Sequence, residues 1–203
     1  MVVVAVLALA VSQISLVTRL DLAVAETAHG GAFAWLGGPA TTITQLAQTE
    51  VVLLLTAIGV AGLIALRHWR GALALAASVL ATQLVVAVGK ALMSRPRPAT
   101  EAGDPQMLQP AGFSFPSAHS ASAVALYATL ALIAGTALHR NLRLGGYAAA
   151  AVLAVLIGAS RVSLGAHYPT DVLAGWLIGA ALVAASWAIF SRAPAPARLQ
   201  PTA

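Results

Sequence analysis

Ser160-Arg161-Val162-Ser163-Leu164-Gly165-Ala166-His167-Tyr168-Pro169-Thr170-Asp171 decides the fold, because it stands between two apolar stretches, about 144–160 and 170–190. Each stretch is long enough to cross a bilayer, which takes roughly 17–25 mostly apolar residues. An arginine, a histidine and an aspartate placed between two such spans are costly there, and such residues mark sites. Four more stretches of similar character occur at about 2–18, 50–66, 71–93 and 118–138. The expected fold is therefore all-α, an integral membrane bundle of six transmembrane helices.

Composition points the same way. The 203 residues are 60% hydrophobic and 8% charged, with mean hydropathy +0.88, far too apolar for a domain whose whole surface is solvated. The first span lacks a basic leading region and a small-residue cleavage site, so it reads as an anchor and not as a cleaved signal peptide. The formal charge of +5 comes from residues at the ends of spans, not from a run that tracks a nucleic-acid backbone, so no nucleic-acid partner is expected. Cysteine is absent, which leaves His, Asp, Lys and Arg as the reactive groups. Abundant alanine, and arginine at every basic position except Lys90, suggest a GC-rich bacterial genome.

Short basic connections at Arg67-His68-Trp69-Arg70 and His139-Arg140-Asn141-Leu142-Arg143, with Arg192 and Arg198, mark the cytoplasmic side. Both termini then face the cytoplasm, and 19–49, 94–117 and 161–169 face outward. The 19–49 connection contains Gly30-Gly31 and Gly37-Gly38-Pro39 around Ala32-Phe33-Ala34-Trp35-Leu36, which suggests a short interfacial helix or lid. Residues 1–192 read as one domain, and 193–203 as a Pro/Ala-rich tail.

Two more polar clusters join the opening one. In Lys90-Ala91-Leu92-Met93-Ser94-Arg95-Pro96-Arg97-Pro98, Lys90 and Arg97 are nearly two helical turns apart, so they share a face if the helix continues to Arg95. Taken alone, they read equally as cations snorkelling at a membrane boundary. Pro116-Ser117-Ala118-His119 precedes an apolar run, which makes Ser117 an N-cap with the amides of Ala118 and His119 available to an anion. Alone, it reads as a capped helix with an interfacial histidine. His167 and Asp171, four apart where Pro169 opens a helix, can pair through one ring nitrogen and leave the other as base or nucleophile. The same pair can also simply staple a loop.

The three cations, two histidines and one carboxylate together suit the binding of a phosphate and its transfer to nitrogen. Metal coordination is disfavoured, because Lys90, Arg97 and Arg161 would repel a cation and no thiolate is available.

In this order, Lys-x6-Arg-Pro, Pro-Ser-Ala-His and Ser-Arg-x5-His-x3-Asp resemble the signature of the type 2 phosphatidic acid phosphatase (PAP2) superfamily, which also includes vanadium haloperoxidases. The motifs cover the second half of the chain; Ala118 stands where the family pattern has glycine. The resemblance implies a core shared with those enzymes and a membrane phosphatase without cofactor or metal. Its implied substrate is a lipid phosphate or diphosphate of the phosphatidic acid, phosphatidylglycerophosphate or undecaprenyl diphosphate class. It further implies that Lys90, Arg97, Ser117, the Ala118 amide and Arg161 cradle the phosphate. His167 would attack phosphorus, Asp171 would orient His167, and His119 would protonate the leaving oxygen and then activate water. The partners implied are the lipid substrate and membrane lipids, at the outer face of the cytoplasmic membrane. Two rival readings are a lipid phosphotransferase and a catalytically silent protein that binds or transports lipid phosphates.

Overall fold

The computed structural model describes residues 8–9, 11, 14–30, 37–98 and 111–190. Seven helices lie among them: α1 Ser15–Gly30, α2 Gly37–Gln45, α3 Thr49–Ala65, α4 Trp69–Met93, α5 Ala118–Gly135, α6 Arg140–Ser163 and α7 Pro169–Phe190. Within α5 the turn Val124–Ala128 is π-helical.

Four of these, α4 to α7, are long and apolar enough to cross a membrane, and α2 with α3 makes a fifth if that pair, bent by 41°, is one span. Their outward faces carry Leu54 and Ile58 on α3, Leu80, Leu84, Val88 and Leu92 on α4, and Val152 and Val155 on α6, all well exposed. The spacing of four along α4 makes a continuous apolar stripe, a surface that hydrocarbon solvates and water does not.

Inside the bundle, packing depends on small residues and on hydroxyls bonded to backbone. A Cβ added to Gly175 would stand 2.6 Å from the Ser117 carbonyl oxygen, and one on Gly179 would stand 2.6 Å from that of Ala121. Glycine at these two positions lets α7 lie directly on the start of α5, the close approach membrane helices obtain from small residues. Val52, Leu75, Val79, Ala125, Leu126 and Ile133 form an apolar cluster between α3, α4 and α5. Beside it, Ser78 bonds the Thr129 hydroxyl (2.9 Å) and donates to the Ala125 carbonyl (3.3 Å). That carbonyl belongs to the π-turn, where the regular ladder is interrupted and an outside donor is useful.

The structure refines the expected segments. Much of the outward connection 19–49 is helical: α1 continues from Ser15 to Gly30, and α2 begins at Gly37. Pro39 is tolerated there because it falls in the first turn, where its missing N–H breaks no bond. The segments 2–7, 31–36 and 193–203 lie outside the described residues, and with them most of the first expected span, the apolar lid centre and the tail. The span expected to end near 93 does end at Met93, with Ser94 left-handed at φ 46°, so the helix does not continue to Arg95. Arg95 precedes a proline and so avoids the helical region, which forces the helix to stop before it. Lys90 and Arg97 consequently share no helix face. Finally, α6 begins at Arg140, not near 144, so Arg140 and Arg143 occupy its first turn.

Candidate active site

The connections 94–98, 111–117 and 164–168 gather at one end of the bundle, where α4 and α6 end and α5 and α7 begin. Beyond Ser94 the chain runs without helix through Arg97, and side chains two apart there point the same way only if the run is regular. Here Pro96 intervenes, and the two arginines take different partners.

Arg97 turns toward His167. Its Nη1 donates to the Ala166 carbonyl at 2.7 Å and lies 3.3 Å from His167 Nε2, while Nε donates to the Gly112 carbonyl at 2.9 Å. Arg95 turns toward Asp171, with Nη1 at 2.8 Å from Oδ1. Its Nη2 meets Asp21 Oδ2 of α1 at 2.9 Å, and its guanidinium lies 3.7 Å over the Tyr168 ring.

Pro169 opens α7 as expected. His167 stands just before it, 2% exposed, and Asp171 is fully buried in the first turn. Asp171 Oδ2 lies 3.4 Å from His167 Nδ1 and accepts the Tyr168 amide at 3.0 Å. The loop itself is fixed by Arg161, whose carbonyl accepts the amides of Ala166 (3.0 Å) and His167 (3.2 Å). Burial pushes the His167 imidazole down to about 4, against the hydrogen bond and charge of Asp171, which raise it; Arg97 and Arg161 lower it further. At neutral pH the ring is therefore uncharged, the state a nitrogen nucleophile requires.

Ser117 caps α5: its hydroxyl accepts the Ser120 amide at 3.4 Å, and its own amide donates to the Asp171 carbonyl at 3.0 Å. The amides of Ala118 and His119 open the helix and have no acceptor within it. Among the described residues only Arg67 and Ser94 combine a side chain with positive φ. Ala118 therefore keeps an ordinary helical backbone, and replacing the family's glycine strains nothing. His119 is half-buried and within electrostatic reach of Arg161, His167, Arg97 and Lys90.

Lys90 donates from the end of α4 to the Phe113 carbonyl, and its charge reaches Arg97, Asp171 and Arg161. Arg161 is 3% exposed; Nη1 donates to Thr44 Oγ1 of α2 at 2.9 Å, while its Nε is buried without a partner. An unpartnered guanidinium N–H in such surroundings suits an anion.

Every site residue expected from the sequence is thus at this end of the bundle. Sequence reasoning quoted Arg95 within the first motif without finding its partners, and it missed Asp21, Thr170, Tyr168 and Thr44 altogether. Only Arg95, beside Arg97 in the first motif, carried a signal. The others act across 73 (Arg95 to Tyr168) to 149 residues of chain, a distance no spacing rule bridges.

Known proteins resemble this chain in sequence and in fold. The PAP2 superfamily profile matches residues 71–195. Phosphatidylglycerophosphatase B of Bacillus subtilis (strain 168) is 36% identical over 152 residues, covering 71% of this chain and 70% of that protein. The crystal structure of the transmembrane PAP2 type phosphatidylglycerolphosphate phosphatase from Bacillus subtilis superposes with a TM-score of 0.84 at 30% identity, over 98% of this chain and 96% of the other. Aquifex aeolicus LpxE gives 0.67 at 26% identity, over 83% and 95%. The chain belongs to the PAP2 superfamily and is an integral membrane phosphatase of it.

Proposed function

We propose that this phosphatase hydrolyses the phosphate monoester or diphosphate of a membrane lipid through a phosphohistidine, at the outer face of the cytoplasmic membrane. The observation that carries the mechanism is the setting of His167: Nδ1 against Asp171, Nε2 against the Arg97 guanidinium. A phosphate drawn to Arg97 is thereby brought to the bare nitrogen. The Bacillus relatives name phosphatidylglycerophosphate. That class is the first to test, with phosphatidic acid and undecaprenyl diphosphate beside it.

In the first step Nε2 of His167 forms a bond to phosphorus while the bond to the lipid oxygen breaks, and His119 gives that oxygen its proton. In the second, His119 takes a proton from water, the oxygen attacks phosphorus, and the N–P bond breaks to release phosphate. Arg97, Arg161, Lys90, Ser117 and the Ala118 amide neutralise the charge spread over the phosphoryl oxygens. These cations do the electrostatic work a metal does elsewhere, so no metal enters the scheme. This reading takes residues 1–192 as the single phosphatase domain, with α4 to α7 as spans among the described residues, and 193–203 as its tail.

The test is phosphate release from a panel of lipid phosphates in detergent, with EDTA and with vanadate. Activity that survives EDTA, stops with vanadate and vanishes in His167→Ala supports the scheme. Full turnover by His167→Ala overturns it, and loss on chelation restored by zinc or magnesium overturns its metal-free chemistry.

A further inference from the structure

Asp171 serves two masters. Its Oδ2 holds His167 and the Tyr168 amide, while its Oδ1 holds Arg95. A guanidinium on a buried carboxylate draws off the negative charge that would otherwise polarise the imidazole, and it can close on both oxygens in a bidentate fork. Here Arg95 divides between two carboxylates, and its Nη1 also donates to the Thr170 hydroxyl at 3.0 Å. Arg95 Nη2 is engaged by Asp21, which is itself held by the Thr170 amide at 3.2 Å and by the Thr170 hydroxyl. Asp21, Arg95 and Asp171 are 4%, 6% and 0% exposed, so solvent screens little of this balance.

We infer that Asp21, on α1, is a positioning residue for the nucleophile: it takes one arm of Arg95 and so leaves Asp171 the oxygen and the charge that orient His167. The inference rests on the phosphohistidine reading. One cation between two carboxylates leaves one net negative charge in the triad. Without Asp21, Arg95 and Asp171 cancel. The other ionisable groups facing His167 are Arg97 from the 94–98 connection, Arg161 from α6 and His119 from α5, none of them anionic, so none replaces what Asp21 contributes. Asp21 also makes α1, which reads as a peripheral segment, part of the catalytic end.

The experiment measures the rate of histidine phosphorylation, kcat and KM, and the imidazole titration of His167, in detergent-purified Asp21→Asn, Asp21→Glu and Asp21→Asn/Arg95→Met. Asparagine keeps the shape and removes the charge. Expected are a fall in kcat of roughly 10-fold or more with KM little changed, a His167 midpoint below that of wild type, and partial recovery with glutamate. The double variant removes cation and counterion together and should regain activity relative to Asp21→Asn, because Asp171 is then free again. Wild-type kcat and an unchanged midpoint in Asp21→Asn overturn the inference. Should Asp21→Asn not fold, a folded double variant much slower than Arg95→Met alone overturns it equally, because Asp21 would then act by a route other than Arg95. Absence of phosphohistidine in the wild-type protein refutes the underlying mechanism instead, which separates the two failures.

Discussion

Arg97 Nη1 lies 3.3 Å from His167 Nε2, and because a guanidinium has only donors, that ring nitrogen is the one that accepts. The proton of the neutral ring is then on Nδ1, toward Asp171 Oδ2 at 3.4 Å. One arginine thus marks the bare ring nitrogen, the atom that serves as nucleophile in the proposed scheme.

The tautomer is directly observable. In protein labelled with nitrogen-15 histidine, His167, identified as the signal lost in His167→Gln, should show a bare Nε2 and a protonated Nδ1 at pH 7. The opposite tautomer would remove the nucleophile from the scheme.

Its pH behaviour follows from burial. The folded-state value near 4 lies below the ordinary value of 6.5, so the unfolded chain binds this proton more readily. The stability the neutral ring contributes is complete above pH 6.5 and is lost as pH falls through about 4. A carbon-13 titration should find His167 uncharged throughout pH 5–8; a midpoint near 6.5 would contradict the burial argument.

How much of this was legible depends on where each signal sits. The spans α4 to α7 are written in continuous apolar runs, and the cap at Ser117 and the proline at 169 mark two of their starts. α1 escaped because Arg19, Asp21, Glu26 and His29 break its hydropathy although its face Leu16, Leu20 and Val24 is apolar. α2 escaped because Gly37-Gly38-Pro39 reads as a break. Both helices then supply a residue to the site, Asp21 and Thr44, so missing the helices meant missing the contacts.

Thr44 aims Arg161. Thr44→Val keeps the shape but strands Nη1 in a buried position, so the guanidinium should lose its orientation while the charge remains. Activity should fall by about 10-fold, within the range for outer partners of a site, with less effect on the melting temperature than on KM. An unchanged KM would show that Arg161 does not meet the substrate.

Close packing of α7 on α5 is the mechanical base of the site. Gly175→Ala sets a methyl 2.6 Å from the Ser117 carbonyl, and backbone cannot give way as a flexible side chain can. Overpacking of this kind costs roughly 1–3 kcal/mol, and here it displaces the cap of α5. Both thermal stability and kcat should decline, whereas Gly62→Ala, with nothing within 4 Å, should leave both near wild type. Equal tolerance at the two glycines would refute the packing account.

Sidedness is the last consequence. The connections at 67–70 and 139–143 are basic and exposed, and they lie at the end of α4, α5 and α6 away from His119 and His167. If basic connections stay in the cytoplasm, the catalytic end faces out, and a lipid made inside must reach the outer leaflet before hydrolysis. The absence of native cysteine allows a direct measurement at two exposed positions, Ala111 beside the site and Asn141 in the first turn of α6. A membrane-impermeant maleimide applied to intact spheroplasts should label Ala111→Cys and spare Asn141→Cys until the membrane is broken. Labelling of Asn141→Cys alone would invert the topology and place the reaction on the cytoplasmic leaflet.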